Sequence, residues 1–177
     1  MNPDPAAGSP ANTTDASVGI VVSDWHSEIT GALLEDALAT LERCGVDRED
    51  IYVAHVPTAM ELPFAARQMS IVQEPSAVVV LGCSTEDEDP MYRPVCESLT
   101  QSLTELNLHS DIPYIFGVLL TPTVGAARSL SDGSGNKGAE CAENAPYGQY
   151  DGPVGQQLMR YIGYRKQGKS CASAGLP

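Results

Sequence analysis

Basic residues are scarce in this chain of 177: ten Lys and Arg stand against 23 Asp and Glu, a formal net charge of −13 at pH 7. A field of that sign repels phosphate, which excludes nucleic acid and anionic membrane as partners and leaves small soluble ligands or self-assembly. Aromatic residues are only 6% of the chain, with a single Trp. Long apolar runs are missing, since nothing approaches the roughly 20 residues of a membrane span. The opening Met1 to Ser17 is polar rather than charged-then-apolar, so no signal peptide is read there. Cys44, Cys83, Cys96, Cys141 and Cys171 are odd in number and lack CxxC spacing, which excludes a disulfide framework and a structural zinc site. Free thiols, no metal and a cytoplasmic location are the expectation.

What is present is a hydrophobic content of 42%, enough for one domain with a real core. Residues 1–17, rich in Pro, Ala, Asn and Thr, read as a flexible arm. From there, strands and helices alternate. Val18 to Ser23 is a β-branched run, followed by apolar residues at helical spacing from Ile29 to Cys44, with Gly45 as the helix stop. Ile51 to Val56 is a second strand, Leu62 to Val72 a helix opening at Pro63, and Ala77 to Gly82 a third strand. A helix from Pro94 to Leu108, a strand from Pro113 to Leu120, and short helices over Val124 to Leu130 and Lys137 to Ala145 follow. This alternation predicts an α/β domain over residues 18–147, a mostly parallel four-stranded sheet covered by helices on both faces. Residues 148–177 read as a tail, largely disordered or holding a short docking helix around Leu158-Met159-Arg160-Tyr161-Ile162.

The third strand runs into Glu86-Asp87-Glu88-Asp89. Ligands of such sheets sit at the carboxyl ends of the strands, so four acids stand where chemistry is expected, and they would repel an anionic substrate. A solvated acidic loop and a site for a cation or amine are both open readings. Trp25, just after the first strand between Asp24 and His26, reads either as a core aromatic or as a ligand platform. Glu61, ahead of Leu62-Pro63, reads as a helix-start acid favoured by the dipole, a ligand contact, or both. His26 and His55 are imidazoles near the presumed pocket, suited to proton transfer or to a polar wall. Cys83 reads as packed rather than nucleophilic, because nearby carboxylates raise a thiol pKa.

Five segments together resemble the lumazine synthase family: Gly19-Ile20-Val21-Val22-Ser23-Asp24-Trp25-His26 with Ile29-Thr30, Val56-Pro57-Thr58-Ala59-Met60-Glu61-Leu62-Pro63, Leu81-Gly82, Pro113 to Leu119, and Gly135-Asn136-Lys137-Gly138. The resemblance covers roughly Val18 to Ala142. It implies a three-layer α/β/α sandwich assembled as pentamers or a closed icosahedral shell. It also implies condensation of 5-amino-6-(ribitylamino)uracil with 3,4-dihydroxy-2-butanone 4-phosphate, with no metal or redox cofactor, though a bound flavin or lumazine is compatible. By that resemblance Trp25 stacks on the pyrimidine, Glu61 holds the ribityl chain, Ala59 and Met60 line the wall, and Phe116 approaches from the neighbouring subunit. Stacking of this kind contributes on the order of 1 kcal/mol beyond area burial.

The phosphate half departs from the family. Glu86-Asp87-Glu88-Asp89 replaces an Arg-Gly-x-Thr turn, Met91 stands where the family has its proton-transferring His, and Ser129 where it has an Arg. Two like charges about 5 Å apart repel by roughly 3 kcal/mol at an effective dielectric near 20. A small shift brings Arg128, one position earlier, to the place of that Arg, and the turn Gly135-Asn136-Lys137-Gly138 into the last helix offers Lys137 as a further cation for the subsite. His26, in place of the family's Asn, is the candidate substitute for the absent base. Three expectations stay open: a diverged homologue that keeps the aromatic site with lost or altered condensation, a working synthase, and a non-enzymatic shell.

Overall fold

The computed structural model describes residues 16–145. The tail expected over 148–177 and nearly all of the arm lie outside them. Ala16 and Ser17, which the sequence pattern gives to the arm, already belong to the domain: Ala16 is buried and the Ser17 carbonyl accepts the Ser76 amide at 2.8 Å.

Four strands form one all-parallel sheet: β1 (Val18–Ser23), β2 (Ile51–Val56), β3 (Ala77–Thr85) and β4 (Tyr114–Thr121), in the order β2-β1-β3-β4. The central strands explain their own sequence. Every residue of β3 is buried, which a continuous run of Val and Leu permits only when helices cover both faces.

Helices α1 (Ser27–Arg43), α4 (Val124–Ser131) and α5 (Lys137–Asn144) pack on one face, where Ile29, Leu33, Ala37, Leu41, Ala127 and Cys141 meet Ile20, Val79, Leu81 and Cys83. Helices α2 (Leu62–Val72) and α3 (Tyr92–Leu108) cover the other face, where Leu62, Ala66, Val95 and Leu99 meet Val21, Val78 and Val80. The three-layer α/β/α sandwich is therefore present.

Boundaries moved by two residues or more in three places, each for a local reason. Strand β3 continues past Gly82 to Thr85, because Cys83, Ser84 and Thr85 still pair with Leu119, Leu120 and Thr121. Helix α3 starts at Tyr92, since Pro94 tolerates the first turn, where its missing N–H has no helical partner to lose. Helix α1 starts at Ser27, straight after His26, whose backbone is left-handed at φ 56° and ψ 50°. At the far end of α1, Gly45 takes φ 88° and donates to the Glu42 carbonyl while Val46 donates to Leu41, the stop expected of that glycine.

Candidate functional site

The strand order fixes where a ligand belongs. From β1 the chain crosses to β2 on one side, and β3 then returns on the other, so the sheet's topological switch point lies between β1 and β3, at their carboxyl ends. Two segments border it: Asp24-Trp25-His26 after β1 and Glu86 to Met91 after β3. They meet where His26 Nδ1 lies 3.9 Å from a Glu88 carboxylate oxygen. The imidazole is 11% exposed, its Nε2 is buried without a protein partner, and the Trp25 ring meets it edge-on at 5.7 Å. Trp25 itself is 49% exposed, so it is not a core aromatic. Left-handed backbone is uncommon outside Gly, Asn, Asp and His, which suits His26 to a position where the resembled family carries Asn.

Glu61 stands after β2, on the neighbouring strand end. Its Oε2 accepts the Thr58 amide at 2.9 Å and the Thr58 hydroxyl at 2.7 Å, and the Thr58 hydroxyl in turn accepts the Met60 amide at 3.2 Å. This capping box starts the short helical turn Ala59–Glu61 that leads into α2. The Thr58 hydroxyl is the main reason the Glu61 carboxyl is held below its ordinary pKa, partial desolvation working against it and the Thr58 amide with it. Ala59 is buried under this turn and Met60 is exposed on it. Asp24 and His55 pair at 2.9 Å across the ends of β1 and β2, in solvent.

The acidic loop is folded onto the protein's own donors. Asp89 accepts the Ser84 hydroxyl at 2.7 Å and the Met91 amide at 2.8 Å, and Asp87 accepts the Val124 amide of α4 at 3.4 Å. Glu86 pairs with Arg93 at 3.6 Å. Met91 is exposed and precedes the first turn of α3.

Arg128 reaches back to Glu28 in the first turn of α1 at 2.9 Å, while the Ser129 hydroxyl donates to the Ala126 carbonyl at 2.8 Å. Lys137 pairs at 2.6 Å with Glu140 on its own helix. Among the described residues no group of His, Cys, Asp and Glu is arranged to hold a metal ion.

Phe116 is not brought to Trp25. It lies on edge strand β4 opposite Val80, with β3 between it and β1. Strand spacing puts it about 10 Å across the sheet and about 13 Å along it from the level of Trp25. It is 37% exposed. A groove of about 650 Å³ between α2 and α3, lined by Phe64, Arg67, Ile71, Leu106 and Tyr114, opens on the helical face and not at the switch point.

Sequence reasoning had not picked out Glu28, Ser84 and Thr58 as partners of Arg128, Asp89 and Glu61. Only the last carried a signal: Thr58-Ala59-Met60-Glu61 has the Thr-x-x-Glu spacing of a capping box. Ser23 and Thr85 also emerge only from the structure, their buried hydroxyls unpartnered at the ends of β1 and β3.

These elements define a parallel α/β protein whose ligand end is built by the loops after β1, β2 and β3. Residues 15–146 match the family model described as 6,7-dimethyl-8-ribityllumazine synthase. The chain is similar to proteins of that name from Parabacteroides distasonis, 44% identical over 135 residues covering 76% of this chain and 84% of the relative, and from Bacteroides fragilis, 42% identical over 128 residues covering 72% and 90%. The relative from Phocaeicola vulgatus is 40% identical, covering 76% and 80%. The chain belongs to the 6,7-dimethyl-8-ribityllumazine synthase family, the family of riboflavin biosynthesis that its motifs resemble. Among the described residues no helix is long and apolar enough to cross a membrane.

Proposed function

We propose that this protein binds a ribityl-substituted pyrimidine or lumazine between Trp25 and Glu61, and that its condensation chemistry differs from the family's at the end of β3. The observation that carries the reading is the contrast between the two halves of the ligand end. Trp25 presents a half-exposed indole beside the switch point, and Glu61 presents an exposed carboxylate whose Oε2 is held by Thr58. The loop after β3 offers carboxylates and Met91 instead of a phosphate turn and a base. Ala59 and Met60 form the wall beside Glu61. Phe116 completes such a site from a second copy, which fits a pentamer or larger shell. No redox cofactor or metal is needed, and a flavin or lumazine binds as a ligand.

A second reading, an active synthase joining 5-amino-6-(ribitylamino)uracil to 3,4-dihydroxy-2-butanone 4-phosphate, is favoured by the 40–44% identity to relatives of that name. In it His26, facing Glu88, moves the proton that Met91 cannot. Positioning of two bound reactants supplies much of a condensation's rate, so a slow synthase without the family base is physically reasonable.

One experiment separates the two. Both substrates are mixed with the protein and product absorbance is followed, while riboflavin and the ribitylaminouracil are titrated by calorimetry. Binding without turnover supports altered chemistry, and turnover well above the uncatalysed rate supports the synthase. No binding of any ribityl ligand removes both and leaves a non-enzymatic shell.

A further inference from the structure

The bonds around the Thr58 hydroxyl have a direction. Its oxygen accepts the Met60 amide at 3.2 Å and lies 2.7 Å from Glu61 Oε2, which the Thr58 amide also reaches at 2.9 Å. A backbone N–H can only donate, so the hydroxyl accepts from Met60 and its one proton is left for Glu61. Oε2 therefore meets two donors, and both favour the ionised carboxylate. The lowered pKa of Glu61 agrees with that bonding. Two donors from one residue also fix where the carboxylate points. An exposed glutamate otherwise samples several rotamers, and ordering it on contact would weaken whatever ligand it met. Thr58 is thus more than a helix cap: it orders a side chain that solvent reaches, before any ligand arrives.

We propose that Thr58 is a positioning residue of the ligand end, whose hydroxyl aims the Glu61 carboxylate and fixes it as a pure acceptor, so that the site selects ligands whose side chain brings hydroxyl donors. A carboxylate held in this way accepts and cannot donate. It favours an O–H or N–H of the ligand and disfavours a carbonyl or another anion. The inference rests on the reading that Glu61 meets the ribityl chain, and it adds the group that makes Glu61 selective. Thr58 itself touches no ligand in this scheme and acts through Glu61.

Calorimetric titration with riboflavin and with lumiflavin, the same ring carrying a methyl group in place of the ribityl chain, tests the proposal on the full chain and on Thr58→Val and Thr58→Ser. Valine suits the extended backbone of Thr58 (φ −133°, ψ 173°) and keeps its amide but has no hydroxyl, whereas serine restores the hydroxyl. The unaltered protein is expected to prefer riboflavin to lumiflavin about tenfold or more. Thr58→Val should lose most of that preference with lumiflavin affinity unchanged, and Thr58→Ser should keep it. Thr58→Ala reads the same loss if the valine variant does not fold. A residue that only caps a helix would lower the melting temperature and leave the ratio of the two affinities alone, so a ratio that survives in Thr58→Val overturns the proposal. A serine variant as impaired as the valine variant overturns it too. No preference for riboflavin in the unaltered protein would count against the ribityl reading itself and take the proposal with it.

Discussion

Gly138 lies so close to the backbone of Leu33 that a Cβ built on it would run into that residue's carbonyl oxygen, carbonyl carbon and Cα together. This contact seats the start of α5 on the middle of α1. Asn136 holds the same junction: its Oδ1 accepts the Gly138 amide at 2.7 Å and its Nδ2 donates to the carbonyls of Ser131 and Ala32. The Gly135-Asn136-Lys137-Gly138 segment is thus a clasp between helices on one face of the sheet.

Gly138→Ala is expected to cost about 3 kcal/mol or more, because backbone cannot yield as a side chain does. Gly31 on α1 has open space around its Cα, and Gly31→Ala is expected to stabilise by about 0.5–1 kcal/mol through helix propensity. Urea unfolding of both variants checks the contrast. A cost below about 1 kcal/mol for Gly138→Ala would refute the close approach.

The fold was legible where periodicity is strong. The apolar run of β3 from Ala77 to Gly82 and the helical spacing of Ile29, Leu33, Ala37 and Leu41 each admitted one structure, and both are found. The end of β3 was not legible, because Cys83, Ser84 and Thr85 belong to the strand only through pairing with β4, a long-range contact that local propensity does not encode. The same holds at the candidate site. Trp25 beside the switch point was readable from its place after a strand. The partners of Arg128 and Asp87 were not, since Glu28 and Val124 are 100 and 37 residues away in the chain.

Trp25→Ala is expected to leave stability nearly unchanged, because the indole is half exposed. Affinity for riboflavin or the ribitylaminouracil is expected to fall by about 1–3 kcal/mol, the range for losing an aromatic stacking platform. Calorimetry paired with a melting curve separates the two effects. Unchanged affinity in a folded variant would remove Trp25 from the site.

Burial pushes the thiols of Cys83 and Cys141 up to about 11, and both lie in the core between the sheet and the α1 layer. The thiolate is the reactive form, so neither is expected to be alkylated in the native protein at pH 8, while both should label after unfolding in denaturant. Peptide mapping of iodoacetamide-treated protein reads this directly. Rapid native labelling of Cys83 would show that β3 opens, and would revive it as a nucleophile at the end of the strand.

Glu61 joins stability to ligand binding through one carboxylate. Its pKa is lowered from the ordinary 4.5, first by the Thr58 hydroxyl, so its contribution to stability is complete above about 4.5 and is lost as pH falls through the folded value. In Glu61→Gln the amide can still cap Thr58 but cannot titrate, so the stability difference from the unaltered protein should be constant near neutral pH and shrink in acid. The group is exposed, which keeps that amplitude small. Ligand affinity behaves differently. A ribityl hydroxyl donates a stronger hydrogen bond to a carboxylate than to an amide, so Glu61→Gln should weaken ribityl ligands about tenfold at pH 7 with the fold intact. Riboflavin titrations at pH 7 and pH 4, beside unfolding curves at the same two values, check both statements. Equal loss of affinity and stability would reduce Glu61 to a helix cap, and loss of affinity alone would give it a place in the site.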